Sequence, residues 1–124
     1  MIKRLIVILI TCSSFVSHDI KKTHDCTATW YDTTQHSIVR REHSTAAVSK
    51  NLIQSLGIKI GNKKTNEKGT LLIVTNLSNN KVDTVEATDK CAAGPNHIDL
   101  SKKAFGKIAN HKQGKIKVTI KKLI

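Results

Sequence analysis

Residues 88–118 read TDKCAAGPNHIDLSKKAFGKIANHKQGKIKV, and the order of signals within this stretch decides the architecture. Residues 89–97 contain Gly94-Pro95, a pair that punctuates the chain as a loop. Ile98-Asp99-Leu100 follows as a short extended segment. Ser101 then suits a helix N-cap, because its hydroxyl can accept a backbone N–H of the first turn. Ala104, Phe105, Ile108 and Ala109 place apolar groups at helical spacing. From Lys115 to Leu123, lysines alternate with Ile116, Val118 and Ile120, the period of a strand with one buried face.

Moving upstream, Lys81 to Thr88 also alternates apolar and polar residues. Gly69-Thr70 opens a strand that runs to Thr75, and Ser78-Asn79-Asn80 supplies the turn of a hairpin between the two. Gly61 to Gly69 reads as a Lys/Asn-rich loop. Asn51 to Leu56 reads as one helical turn ended by Gly57, and Thr45 to Ser49 as a short buried strand. Residues 33–44 form a loop carrying Arg40, Arg41, Glu42 and His43. Thr27 to Asp32 is β-prone, with Ala28 and Trp30 facing one way and Thr29 and Tyr31 the other. The expectation is mainly β: five or six strands around one or two short helices, with no internal repeat and no second domain.

Composition agrees. The 124 residues suit one domain. With four aromatic residues in the chain, the core must rest on Ile, Leu, Val and Ala, which argues against a large aromatic ligand platform. Lys and Arg outnumber Asp and Glu by 21 to 9, a formal net charge of +12. That excess attracts polyanions: nucleic acid, an anionic membrane or an acidic wall polymer. It is concentrated at the end of the chain, where eight lysines and no carboxylate side chain follow from Lys102 onward. A solvated, solubilising face is the plainer reading of the same lysines.

Residues 1–17 read as a signal peptide: Lys3 and Arg4, the apolar run Leu5 to Ile10, then small residues at Thr11, Ser13, Ser14 and Ser17. The run is too short for a bilayer, which takes roughly 20 apolar residues. Residues 18–25 are expected to be a disordered lead-in, and 26–124 the folded domain. Export sets nucleic acid aside as a partner and points to a secreted, periplasmic or cell-envelope protein. Leu9-Ile10-Thr11-Cys12 resembles a bacterial lipoprotein box, so lipidation of Cys12, giving an outer-membrane lipoprotein, is the alternative to cleavage among Ser13 to Ser17. A membrane is a partner only in that case. In an oxidising compartment Cys26 and Cys91 are expected to form a disulfide. No Cys-x-x-Cys or His-rich ligand spacing calls for zinc, and neither a metal nor an organic cofactor is expected. A monomer is the default.

The segments Thr88-Asp89-Lys90-Cys91, His97 to Ala109 and Gly114-Lys115-Ile116-Lys117-Val118 resemble the double-psi β-barrel domain of rare-lipoprotein-A-like proteins, expansins and barwin-like proteins. Ala28-Thr29-Trp30-Tyr31, Thr45-Ala46-Ala47, Gly69-Thr70 and Val74 to Asn79 are similar to the rare-lipoprotein-A version, so the resemblance covers about residues 26–122. It implies a six-stranded double-psi β-barrel whose open groove receives a glycan. It also implies that Asp89, and Asp99 as in expansins, lie on that groove as candidate catalytic or binding carboxylates. A carboxyl group in a partly dry groove can protonate a glycosidic oxygen; an ionised one can hydrogen-bond sugar hydroxyls. Without the resemblance, Asp89 could accept N–H bonds from its own loop, and Asp99 could hold the helix entrance or pair with a lysine. Thr29, Tyr31 and His97 complete the expected glycan-binding set, with Tyr31 rather than Trp30 facing the groove.

One position departs from the pattern. Relatives that act as lytic transglycosylases carry a histidine directly after Thr-Ala-Ala, and here that residue is Val48, which can neither give a proton nor bond a sugar. The loop Glu of those relatives has no clear counterpart; Glu42 and His43 are the nearby candidates to replace the missing histidine. No stretch reads as the second, carbohydrate-binding domain of expansins. The resemblance therefore implies a secreted protein that binds or loosens cell-wall polysaccharide (peptidoglycan, or a cellulose- or chitin-type glycan) without hydrolysis. The alternatives are a lytic transglycosylase with Asp89 as proton donor, and a barwin-like protease inhibitor or effector that binds another secreted protein.

Overall fold

The computed structural model describes residues 23–32 and 43–123. The signal peptide, Cys12, Glu42 and most of the lead-in therefore lie outside the described residues. Six strands close into a barrel: β1 (His24–Tyr31), β2 (Thr45–Ser49), β3 (Leu71–Asn76), β4 (Val82–Cys91), β5 (His97–Ser101) and β6 (Ile116–Lys122). Two short helices, α1 (Lys50–Leu56) and α2 (Lys102–Ile108), and a 3₁₀ turn at His111–Gln113 complete the fold. Around the ring the order is β1-β5-β2-β4-β3-β6. β1 runs parallel to β5 and β2 parallel to β4, while the other four pairings are antiparallel. Closure leaves no unpaired sheet edge, which a six-stranded open sheet would have to protect.

Alternation along each strand fills the interior. Ala28, Val74, Val85, Ile98, Leu100, Val118 and Ile120 are fully buried. Phe105 and Ile108 from α2, with Leu52 from α1, join the same buried core. All five residues of β2 are buried, which accounts for its lack of alternation. Buried Asn76 is fully used: its amide donates to the Ile108 carbonyl at 2.8 Å, and its Oδ1 accepts from Ser78 N and Oγ. One polar side chain thus ties the β3–β4 turn to the free carbonyl end of α2.

Ser101 does cap α2, accepting from Ala104 N at 3.3 Å, and Gly57 ends α1 in the left-handed region at φ 62°. Elsewhere the elements outrun the sequence pattern. β1 starts at His24, inside the expected lead-in, because His24 and Asp25 pair with Ile120 and Thr119 of β6. β4 continues through Asp89, Lys90 and Cys91, expected as loop, because those residues pair in parallel with Ala47, Val48 and Ser49.

The expected disulfide is corrected: Cys26 and Cys91 are both free thiols. Cys26 is 4 % exposed inside the barrel, level with Val118 of β6. Cys91 ends β4 beside Ser49, with its thiol on the His97 carbonyl at 3.8 Å. The two side chains belong to different strand pairs, one in the core and one at its margin.

Candidate functional site

Thr29, Asp99, Ala47 and Asp89 form one register row across four strands. Thr29 of β1 stands level with Asp99 of β5, Asp99 with Ala47 of β2, and Ala47 with Asp89 of β4. Register partners share a sheet face, and the flanking Ala28, Ile98, Leu100, Ala46 and Val48 point to the core, so this row faces outward. A β-bulge makes the row possible. Between Ala46 and Ala47 the β4 partner jumps from Ala87 to Asp89, leaving Thr88 as the extra residue. Glu86 and Asp89, three apart, would otherwise point to opposite faces; the bulge turns both outward. Ala47 in the middle of the row contributes only a methyl group, leaving a low floor between the two carboxylates.

Asp99 is held from below. The Thr29 hydroxyl donates to Asp99 Oδ1 at 2.8 Å, and His97 Nε2 lies 2.7 Å from the same hydroxyl oxygen. Thr29 has one proton, and it goes to Asp99, so His97 must be the donor through Nε2–H. The His97 backbone is itself set by the Ser49 hydroxyl at 3.2 Å. Asp89 is exposed and accepts the N–H of Lys90 at 2.7 Å. Each carboxylate therefore keeps acceptor capacity toward solvent.

Tyr31 extends the site by a second row. It is level with Ser101, whose hydroxyl accepts from Thr45 N, and Thr45 is level with Glu86. The Tyr31 hydroxyl lies 3.0 Å from Thr45 Oγ1. Burial pushes the Tyr31 phenol up, opposed by hydrogen bonds from Thr45 and Thr88 and reinforced by the Asp99 and Asp89 carboxylates. The same two carboxylates, behind burial as the main cause, push up the Cys91 thiol, while a backbone hydrogen bond from Ala93 opposes them. Both groups thus stay protonated at neutral pH and can donate. Trp30, on the opposite side of β1, packs against the core, and its indole N–H donates to the His111 carbonyl at 3.0 Å.

The architecture matches known proteins. A double-psi β-barrel family model, described as lytic transglycolase, matches residues 23–120. The chain belongs to this family. Similar to it is expansin-like protein 6 of Dictyostelium discoideum, 33 % identical over 123 residues that take in 85 % of this chain and 42 % of that protein. The chain thus spans less than half the length of this relative. An expansin of Clavibacter michiganensis, solved as a mutant in complex with cellohexaose, superposes with a TM-score of 0.63 at 22 % identity. That match covers 83 % of this chain and 51 % of the expansin. A Streptomyces papain inhibitor gives 0.60 at 22 % identity, covering 86 % of this chain and 98 % of the inhibitor. Both structural likenesses concern the fold.

Within the double-psi barrel, Val48 is fully buried, so the place of the relatives' histidine is filled by core packing. His43 does not take over that place: its Nε2 stands 3.3 Å from Glu86 Oε1. It belongs to a recess of about 410 Å³ lined by His43, Ser44, Lys68, Leu71, Thr84 and Glu86, beside the Asp99–Asp89 row and not over it. The sequence reading missed Glu86. The signal was present as a carboxylate on an otherwise apolar-alternating strand, at Val85-Glu86-Ala87, but only the barrel shows that its side chain is 4 % exposed.

Proposed function

We propose that this barrel binds a cell-wall glycan chain along the Thr29–Asp99–Ala47–Asp89 row and loosens the wall without cutting the chain, acting outside the cell. The observation that carries this reading is the row itself: two outward carboxylates separated by an alanine floor, one of them fixed by the Thr29–His97 pair. Ionised carboxylates accept hydrogen bonds from adjacent sugar hydroxyls, and charged acceptors form the stronger kind of such bonds. The Tyr31 hydroxyl adds a donor at the margin, while His97, its Nε2–H spent on Thr29, holds the row in place. A sugar ring lying over Ala47 can then exchange its hydrogen bonds to neighbouring chains for bonds to the protein. That exchange separates chains without breaking a covalent bond. The surroundings of the carboxylates support a non-hydrolytic action: Asp99 accepts a hydrogen bond from the Thr29 hydroxyl, Asp89 accepts the backbone N–H of Lys90, and Val48 offers no acid or base.

The test is incubation with purified peptidoglycan, cellulose and chitin, with soluble products read by mass spectrometry and bound protein by pull-down. Binding without released product, weakened in Asp99→Asn and Asp89→Asn, is the expected result. Anhydro-muropeptides that vanish in Asp89→Asn would replace this reading with a lytic transglycosylase in which Asp89 is the proton donor. Absence of both binding and product would remove glycan as the ligand and turn attention to a secreted protein partner.

A further inference from the structure

We infer that the Lys117–Thr27 pair, at the β6 end of the row, is a subsite for a sugar carboxylate, so that the glycan this barrel takes is an acidic one. The inference rests on the glycan-binding reading above and deepens it. Around the ring β6 follows β1, so a chain that runs from Asp89 over Ala47 and Asp99 to Thr29 meets the outward side chains of β6 next. Thr27 is level with His97 on one side and with Lys117 on the other, one outward position along β1 from Thr29. Cys26 and Ala28 beside Thr27 are buried, as are Ile116 and Val118 beside Lys117, so both side chains stand on the outer face.

Lys117 Nζ donates to Thr27 Oγ1 at 3.1 Å, which holds the ammonium against β1. That bond uses one of the three ammonium protons and one lone pair of the hydroxyl. Two N–H groups of Lys117 and the O–H of Thr27 remain, and neither side chain has another partner among the described residues. The carboxylate on this part of β1, Asp25, is level with Thr119 and forms no ion pair with Lys117. Asp99 lies beyond His97, with its Oδ1 already on Thr29. Lys115, one residue before β6, is exposed and of the same sign. The pair thus presents two donors on neighbouring atoms, one of them charged, and these match the two oxygens of a carboxylate. Hydrogen bonds between such ionised partners are the stronger kind. A sugar hydroxyl at the same place brings no opposite charge. The chain's net charge of +12 raises the local concentration of any polyanion, but that long-range attraction acts through every lysine alike and does not single out Lys117.

The experiment compares cellohexaose with the hexamer of β-1,4-linked glucuronate, a probe of the same length and linkage that differs in its carboxylates, by calorimetric titration of the full chain at low ionic strength. One exposed, charge-assisted contact gives the glucuronate an advantage of about fivefold. Lys117→Gln is expected to bring the two probes to equal affinity. Thr27→Val, which removes the second donor and the anchor of Lys117, is expected to take away a large part of the advantage. Lys121→Gln removes the same charge two positions along the outer face of β6 and is expected to leave the advantage in place. No advantage, or an equal loss from Lys121→Gln, overturns the subsite and leaves the row intact, provided Asp99→Asn still weakens cellohexaose. Glucuronate binding that depends on Lys117 and ignores Asp99→Asn keeps the subsite and overturns the row. Binding of neither probe overturns both.

Discussion

Asp99 shows how little local chemistry is needed to make an ordinary aspartate a binding group. Its partner Thr29 sits 70 positions away in sequence and 2.8 Å away in space. Asp99→Asn keeps the shape and removes the charge; glycan affinity is expected to fall about tenfold, as for loss of a charge-assisted hydrogen bond. Thr29→Val removes the support and not the carboxylate. It is expected to weaken binding about threefold, read in the same titration, with thermal stability changed by no more than about 1 kcal/mol. The thiols give a second prediction at this scale. Burial first, and Asp25 second, push Cys26 up to about 11 from an ordinary 9.0. Between those values the unfolded chain loses the thiol proton before the folded one does. The stability that Cys26 contributes is therefore complete below about pH 9 and lost as pH rises toward 11. Cys26→Ala is expected to flatten that decline in alkaline denaturation curves. In native protein at neutral pH, iodoacetamide is expected to modify Cys91 slowly and Cys26 only after unfolding, as read by mass spectrometry.

At the scale of elements, the site depends on where β5 stops and α2 begins. Ser101 serves both: it is level with Tyr31, accepts from Thr45 N, and caps α2 through Ala104 N. Ser101→Ala is expected to cost about 1 to 2 kcal/mol in urea unfolding, the upper part of the range for a lost cap because a strand contact goes with it. The loop before β3 is pinned as tightly. A Cβ added at Gly69 would stand 1.9 Å from the Ala87 carbonyl oxygen, a backbone atom that cannot move aside. Gly69→Ala is expected to destabilise by about 3 kcal/mol or more and to disturb the recess before the Asp99 row.

For the whole molecule, stability comes from a closed barrel around an aliphatic core and from no covalent staple among the described residues. Reducing agent is accordingly expected to leave the thermal midpoint unchanged, measured by circular dichroism with and without dithiothreitol. Phe105→Ala, which empties the largest fully buried side chain from the core, is expected to cost about 3 to 5 kcal/mol.

Much of this was legible in the residues. Periodicity located the β3–β4 hairpin, the Ser101 cap, the apolar stripe of α2 and the alternation of β6, because those signals are local. The resemblance, carried by short motifs in the order a double-psi barrel uses them, brought Asp89, Asp99, Thr29, Tyr31 and His97 together before any contact was known. Four features were decided only by tertiary structure. The strand character of Asp89 to Cys91 comes from parallel pairing with β2, more than 40 positions upstream. The outward turn of Asp89 comes from the bulge at Thr88, which reverses the face that strict alternation assigns. The separation of Cys26 from Cys91, and the burial of Glu86 under His43, come from barrel closure. A sequence records which side chains are available and with what local period; which of them meet is set by strand register across the barrel, a property of pairs of segments and not of either one.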